Sequence, residues 1–158
     1  MPGVDNNMNV PPDPEIVARA WALSKTSITD VIGTRIATRL PQDATMPFVV
    51  VENGGSALLD EDSQAAVNLT VINFSCYAGR WGGSGNKAEP DYTAASNLAQ
   101  IIYKEAFIES NTQITTSSGV KAWIYGMSVS TAPQRIEEDE VLLANFLLSC
   151  NMTYRYSE

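Results

Sequence analysis

Histidine is missing from all 158 positions, and with it go the commonest general base, the commonest metal ligand and the usual pH switch. Ser24, Ser56 and Ser84 therefore have no imidazole to activate them, so nucleophilic catalysis has no support. Positive charge is scarce too: 10 Lys and Arg stand against 18 Asp and Glu, a formal net charge of −8. That balance argues against a protein that grips phosphates by releasing counterions, although an acidic surface suits nucleic acid that must slide past without sticking. No run approaches the roughly 18 apolar residues that span a bilayer. Residues 1–12 hold neither Lys nor Arg nor an apolar block, so they do not read as a secretory leader, and folding in a cytoplasm is expected. There are only two cysteines, Cys76 and Cys150, each in an apolar strand-like setting, which predicts two buried free thiols.

What is present is ordinary globular composition, 44% hydrophobic and 18% charged, at a length suited to one domain with a core of its own. The clearest pattern lies at the end. Between Leu142 and Tyr156 the even positions Ala144, Phe146, Leu148, Cys150, Met152 and Tyr154 alternate with Asn145, Ser149, Asn151, Thr153 and Arg155. A period of two predicts a long strand buried on one face, which needs other strands beside it and a covering layer of helix.

From the front, residues 1–12 read as a flexible tail ended by Pro11, Pro12 and Pro14, and residues 13–158 as one domain. Asp13-Pro14-Glu15 has the chemistry of a helix start, and Ile16, Val17, Ala20, Trp21 and Leu23 supply its stripe, with Arg19 opposite. Ser27 to Asp30 resembles a capping box ahead of one short turn that Gly33 stops. Thr34 to Leu40 is expected to be a short strand or extended segment, and Met46 to Val51 a strand, broken at Asn53-Gly54-Gly55-Ser56 with a solvated loop to residue 65. Apolar parity switches from Val67, Leu69 and Val71 to Ile72, Phe74 and Cys76, which predicts a bulge or bend near Val71-Ile72. Pro90 and Asp91 open a second long helix whose stripe is Ala94, Ala95, Leu98, Ile101, Ile102, Glu105, Ala106 and Ile108. A polar Thr and Ser turn, a strand from Val120 to Ser130, and the acidic run before the last strand complete the order, with those two strands paired as a hairpin. The sum is an α+β fold: a mostly antiparallel sheet with two main helices packed on one face.

The glycine-rich segment from Gly79 to Gly85 reads as a mobile loop and not as a phosphate cradle, because Ala88 stands where a third dinucleotide glycine belongs and no P-loop order is present. Trp81, beside Arg80 in that segment, is either an interface aromatic or a side chain folded back on its own domain. Asp60-Glu61-Asp62 and Glu137-Glu138-Asp139-Glu140 lack the alternate spacing and turn glycine of a calcium loop and read as solvated or interface-forming acids. Together with Arg155 these residues are the candidate interface. No catalytic, cofactor or metal residue stands out. The sequons at Asn68 and Asn151 fall in strands and would matter only in a secreted eukaryotic chain.

Several of these segments in this order carry a resemblance: the leading amphipathic helix, Val31-Ile32-Gly33-Thr34-Arg35-Ile36 running to Leu40-Pro41, and Met46-Pro47-Phe48-Val49-Val50-Val51. The long strand from Val67 to Tyr77, the Ala-rich helix around Ala94 to Ala106, the Trp123-Ile124 strand and the close at Thr153-Tyr154-Arg155-Tyr156 continue it. From Ile16 onward the chain resembles the tail terminator, or tail-completion, family of long-tailed bacteriophages. The resemblance implies a non-enzymatic virion protein, assembled in the host bacterial cytoplasm, that forms a hexameric ring on the head-proximal end of the tail tube. Its implied partners are further copies of itself, the major tail tube protein and the head-side connector, with phage DNA passing through the lumen unbound. Another head-tail joining or tail-tube subunit of similar fold remains the alternative.

Overall fold

The computed structural model describes residues 13–58, 67–83, 85, 87–137 and 143–157. The expected tail at 1–12, and the candidates Asp60, Glu61, Asp62, Glu138, Asp139 and Glu140, lie outside the described residues. Helix α1 spans Pro14–Leu23: Asp13 caps it, its carboxylate accepting from the Glu15 amide at 2.9 Å, and Pro14 takes the first helical position where no donor is needed. Helix α2, Thr26–Ile32, ends at Gly33, whose φ of 58° is open to glycine at little cost. No side chain caps its start. The capping box expected from Ser27 does not form, because the Ser27 hydroxyl donates instead to Glu105 on the second long helix, at 2.7 Å.

After the two-residue β1 (Ile36–Ala37) come β2 (Phe48–Leu58), β3 (Asn68–Arg80) and the short β4 (Glu89–Pro90). Helix α3 (Tyr92–Phe107), β5 (Ser110–Thr115), β6 (Lys121–Ile136) and β7 (Ala144–Ser157) complete the chain. The sheet runs β1-β2-β3-β7-β6-β5, antiparallel except for the parallel β1–β2 pair, with β4 held on β3. The C-terminal strand is thus central, as its alternation requires, and it pairs with β6 in the expected hairpin.

All three helices cover the face that carries the even residues of β3 and β7. Val17 and Trp21 of α1, Ile28 and Ile32 of α2, and Leu98 and Ile102 of α3 meet Ile72, Phe74, Leu148 and Met152 in one core. The Trp21 and Phe74 rings lie 5.9 Å apart, tilted by 51°. Because α1 touches β2, β3 and also β5 at the far end of the strand order, the sheet curls around it.

Four further expectations need correction. Strand β2 does not break at Asn53-Gly54-Gly55-Ser56; it continues to Leu58 through a bulge, the register shifting between Asn53 and Gly55. That bulge faces Ile72 and Val71, so the irregularity lies at the expected level but on the neighbouring strand, while β3 stays regular. Strand β6 likewise continues through Pro133 to Ile136 by irregular steps in its pairing with β7. The polar segment before Gly119 is not only a turn, for it contains β5.

Since Phe74 is wholly buried between α1 and the sheet, Phe74→Ala should cost about 3–5 kcal/mol by loss of transfer energy and by cavity formation. Urea unfolding followed by tryptophan fluorescence would measure the loss.

Candidate functional site

With the helices on one side, the odd positions of β3 and β7 form a face that no described helix covers. Leu69, Val71, Asn73, Ser75 and Tyr77 lie across from Thr153, Asn151, Ser149, Leu147 and Asn145. Its polar groups are tied to one another: the Ser149 hydroxyl donates to Asn73 Oδ1 at 2.6 Å, Ser130 Oγ donates to the Ser149 carbonyl at 3.2 Å, and Asn151 Nδ2 donates to Ser128 Oγ at 3.4 Å. Neither β3 nor β7 places a charge here until Arg155. Half-buried Leu69, Val71 and Leu147 stand among the amides and hydroxyls, and Glu52 of β2 lies across from Asn73 on the same side, so the surface is mostly uncharged and partly apolar.

At one end Arg155 lies across from Trp123, its guanidinium 5.9 Å from the Tyr125 ring, and its Nε is buried without an acceptor. That ring contact is a loose cation–π approach. The other end is closed by a small second core. Phe48, Val50, Tyr77 and Leu143 are covered there by Leu40, Ala44, Met46 and Trp81. Trp81 is half-buried and its indole N–H donates to the Ala44 carbonyl at 2.8 Å, so of its two expected positions it takes the one folded back on its own domain. Beside it Arg80 pairs with Glu89 at 2.9 Å, both well exposed. β3 there runs through Arg80, where a mobile glycine loop was expected. A side chain on Gly79 would run into the Glu89 backbone carbonyl, which is why glycine is required at that φ of 135°.

The interface candidates among the described residues do not converge. Arg80 and Trp81 sit near the Ala144 end of β7 and Arg155 near the other, on the order of 35 Å away at strand rise. Glu137 pairs with Arg135 at 2.9 Å, and that guanidinium stacks 3.5 Å over the centroid of Tyr92. Sequence reasoning missed Tyr125, and it set Ile108 on the buried stripe although Ile108 is the helix C-cap and, like Phe107, largely exposed. Arg19, expected opposite the apolar stripe of α1, donates from its Nε to the Ile36 carbonyl at 2.9 Å.

Among the described residues no helix is long and apolar enough to cross a membrane, and no group of three or more Cys, Asp or Glu is placed to hold a metal. Among solved structures, a chain from the virion of a native gene transfer agent particle aligns with 91% of this chain and 92% of its own, at 11% identity and a TM-score of 0.49. No family model matches the chain, and no curated protein matches it.

The two thiols lie on neighbouring strands but out of register, Cys76 opposite Phe146 and Cys150 opposite Ile72, and both are free and buried. Burial pushes the Cys150 thiol up to about 12 and raises Cys76 further, helped by the neighbouring Cys150. Both are therefore protonated and unreactive near neutral pH. A disulfide reagent at pH 8 should label neither cysteine in the folded protein and both in urea, as read by absorbance of the released thiolate.

Proposed function

We propose that this chain is a structural assembly protein of a long-tailed phage, a terminator that closes into a ring on the tail tube, stops its growth and offers a face to the head-side connector. The observation that carries the reading is the sheet face left bare by the helices: long, mostly uncharged, partly apolar and tied by hydrogen bonds of its own, from Ser149 to Asn73 and from Asn151 to Ser128. A surface of this kind suits permanent burial against another subunit better than open water. Closure of a ring needs two different patches of one subunit to meet, and here Arg155 with Tyr125 and the Arg80-Trp81 corner mark opposite ends of that face. The net charge of −8 suits a lumen through which DNA passes without adhering. In this reading the chain is not an enzyme, works at the head-proximal end of the tail in the virion, and is assembled in the host cytoplasm with the major tail tube protein and the connector as neighbours. The order of segments from Ile16 to Tyr156 agrees with the tail terminator family. A hexamer is the expected stoichiometry by that resemblance.

Negative-stain microscopy of the purified protein should show rings, and phage lacking it should carry overlong tails. Phage with no tail tube at all would mark a tube subunit instead, and a protein that stays monomeric and ignores tail tubes would sink the reading. Arg155→Glu should unfold within about 1 kcal/mol of the parent, since the side chain is half-buried at the end of the face and its guanidinium makes a loose ring contact, yet lose ring formation. Sedimentation and urea unfolding of the same sample separate the two effects.

A further inference from the structure

The two edges of the sheet are treated differently. On the β2 side, the Val49 amide donates to the Arg35 carbonyl at 3.0 Å, the Asn53 amide to Glu15 Oε1 at 3.4 Å, and the Gly55 amide to Asn53 Oδ1 at 2.9 Å, so that edge is capped by β1, by α1 and by its own bulge. On the other side β5 ends the strand order among the described residues, paired with β6. Its sequence, Ser110-Asn111-Thr112-Gln113-Ile114-Thr115, has no charge and no proline, the usual devices that stop an edge from accepting another strand. Beside it a cavity of about 440 Å³ opens between the strand and the C-terminal half of α1, with Ala20, Leu23 and Ile114 as apolar lining and Arg19, Gln113 and Thr115 as polar lining. A strand added at β5 would turn every second side chain towards that cavity.

The chain carries a segment of matching pattern. In residues 1–12 the even positions Val4, Asn6, Met8 and Val10 alternate with Gly3, Asp5, Asn7 and Asn9, an apolar face against a polar one at the period of a strand. Asp5 is its one charge and Arg19 the cation of the cavity. Twelve residues reach roughly 40 Å when extended. The cavity lies at the far end of α1 from Asp13, and Pro11, Pro12 and Pro14 oppose the tight reversal that a return along the same helix would need. We infer that the first twelve residues of one copy add as a strand to β5 of a neighbouring copy and seat Val4, Met8 or Val10 between α1 and Ile114. The inference rests on the assembly reading above and names one contact within it.

The quiet native thiols allow a clean test. In the full chain carrying Val10→Cys and Thr115→Cys, mild oxidation should give a ladder of linked multimers on a non-reducing gel, and each single variant should give no ladder. A link confined to monomers, or no link, overturns the inference. A chain lacking residues 2–11 should keep its circular dichroism melt and sediment as smaller species than the full chain at the same micromolar concentration. If the shortened chain assembles unchanged, the arm contact is wrong while the assembly reading stands; a full chain that is monomeric throughout removes both.

Discussion

The antiparallel register of β3 on β7, unbroken from Asn68 opposite Tyr154 to Ala78 opposite Ala144, is the constraint on which the other features depend. A slip of β7 by one residue would turn Leu148, Cys150 and Met152 outward and bring Ser149, Asn151 and Thr153 under the helices. Each large apolar side chain so exposed forfeits about 1.5–3 kcal/mol, and each buried amide without a partner adds a further cost of about 1–3 kcal/mol. The slip is therefore prohibited, and every other strand inherits its sidedness. Irregularities fall on the strands flanking the central pair: the β2 bulge at Asn53–Gly55 and the steps in β6 at Tyr125, at Ser130 and between Thr131 and Gln134 place extra residues there without disturbing the centre.

The helical layer is fixed by polar contacts as well as by the core. Lys25 reaches Glu109 at 2.8 Å, and the Glu109 side chain is only 5% exposed. With Ser27 held by Glu105 on the same side of α3, the start of α2 is pinned to the end of α3. A buried pair of this kind contributes little net stability, because desolvation offsets attraction; its value is in direction, since an apolar contact would let α2 slide. Glu109 Oε1 and Trp21 Nε1 nevertheless remain buried without partners, and Lys25 stands 5.9 Å from the Trp21 ring. This corner gives up hydrogen bonds to keep its packing.

Much of the fold was legible because the strongest local signals agree with tertiary burial. Asp13-Pro14 and Asp91 start helices by donor bookkeeping alone, although Pro90, expected to open α3, belongs to β4, and the alternation in β7 reports a strand with one covered face. The misses have physical causes. β5 holds a single buried apolar residue, Ile114, so as a polar edge strand it has almost no hydrophobic period. Gly54 and Gly55 read as a break because glycine ends most strands, whereas here they form a bulge. The parity switch in β3 arises because Asn68 and Thr70 occupy buried even positions while Leu69 and Val71 sit half-buried opposite, so apolar residues mark both faces. For the candidate site, Trp81 shows how little an aromatic between glycines reveals: its destination depended on the Ala44 carbonyl, 37 positions earlier. The bare face could be read as polar from Asn145, Ser149 and Asn151, but its breadth depends on strand order, which no local pattern contains.

Helix α1 links core, edges and surface. Val17 and Trp21 belong to the core, Glu15 caps the Asn53 amide at one sheet edge, and Leu23 lines the cavity beside the other. One rigid element therefore touches both ends of a curled sheet, and a shift that improved its packing on one edge would loosen it on the other. The curl itself follows, because a flat sheet of this order would place β2 and β5 too far apart for ten helical residues, about 15 Å, to meet both. Bending the sheet around α1 makes the opposite face convex, so its mostly uncharged side chains fan outward, and no further helix of the described chain is left to cover them. The same packing that completes the core thus creates the uncovered surface.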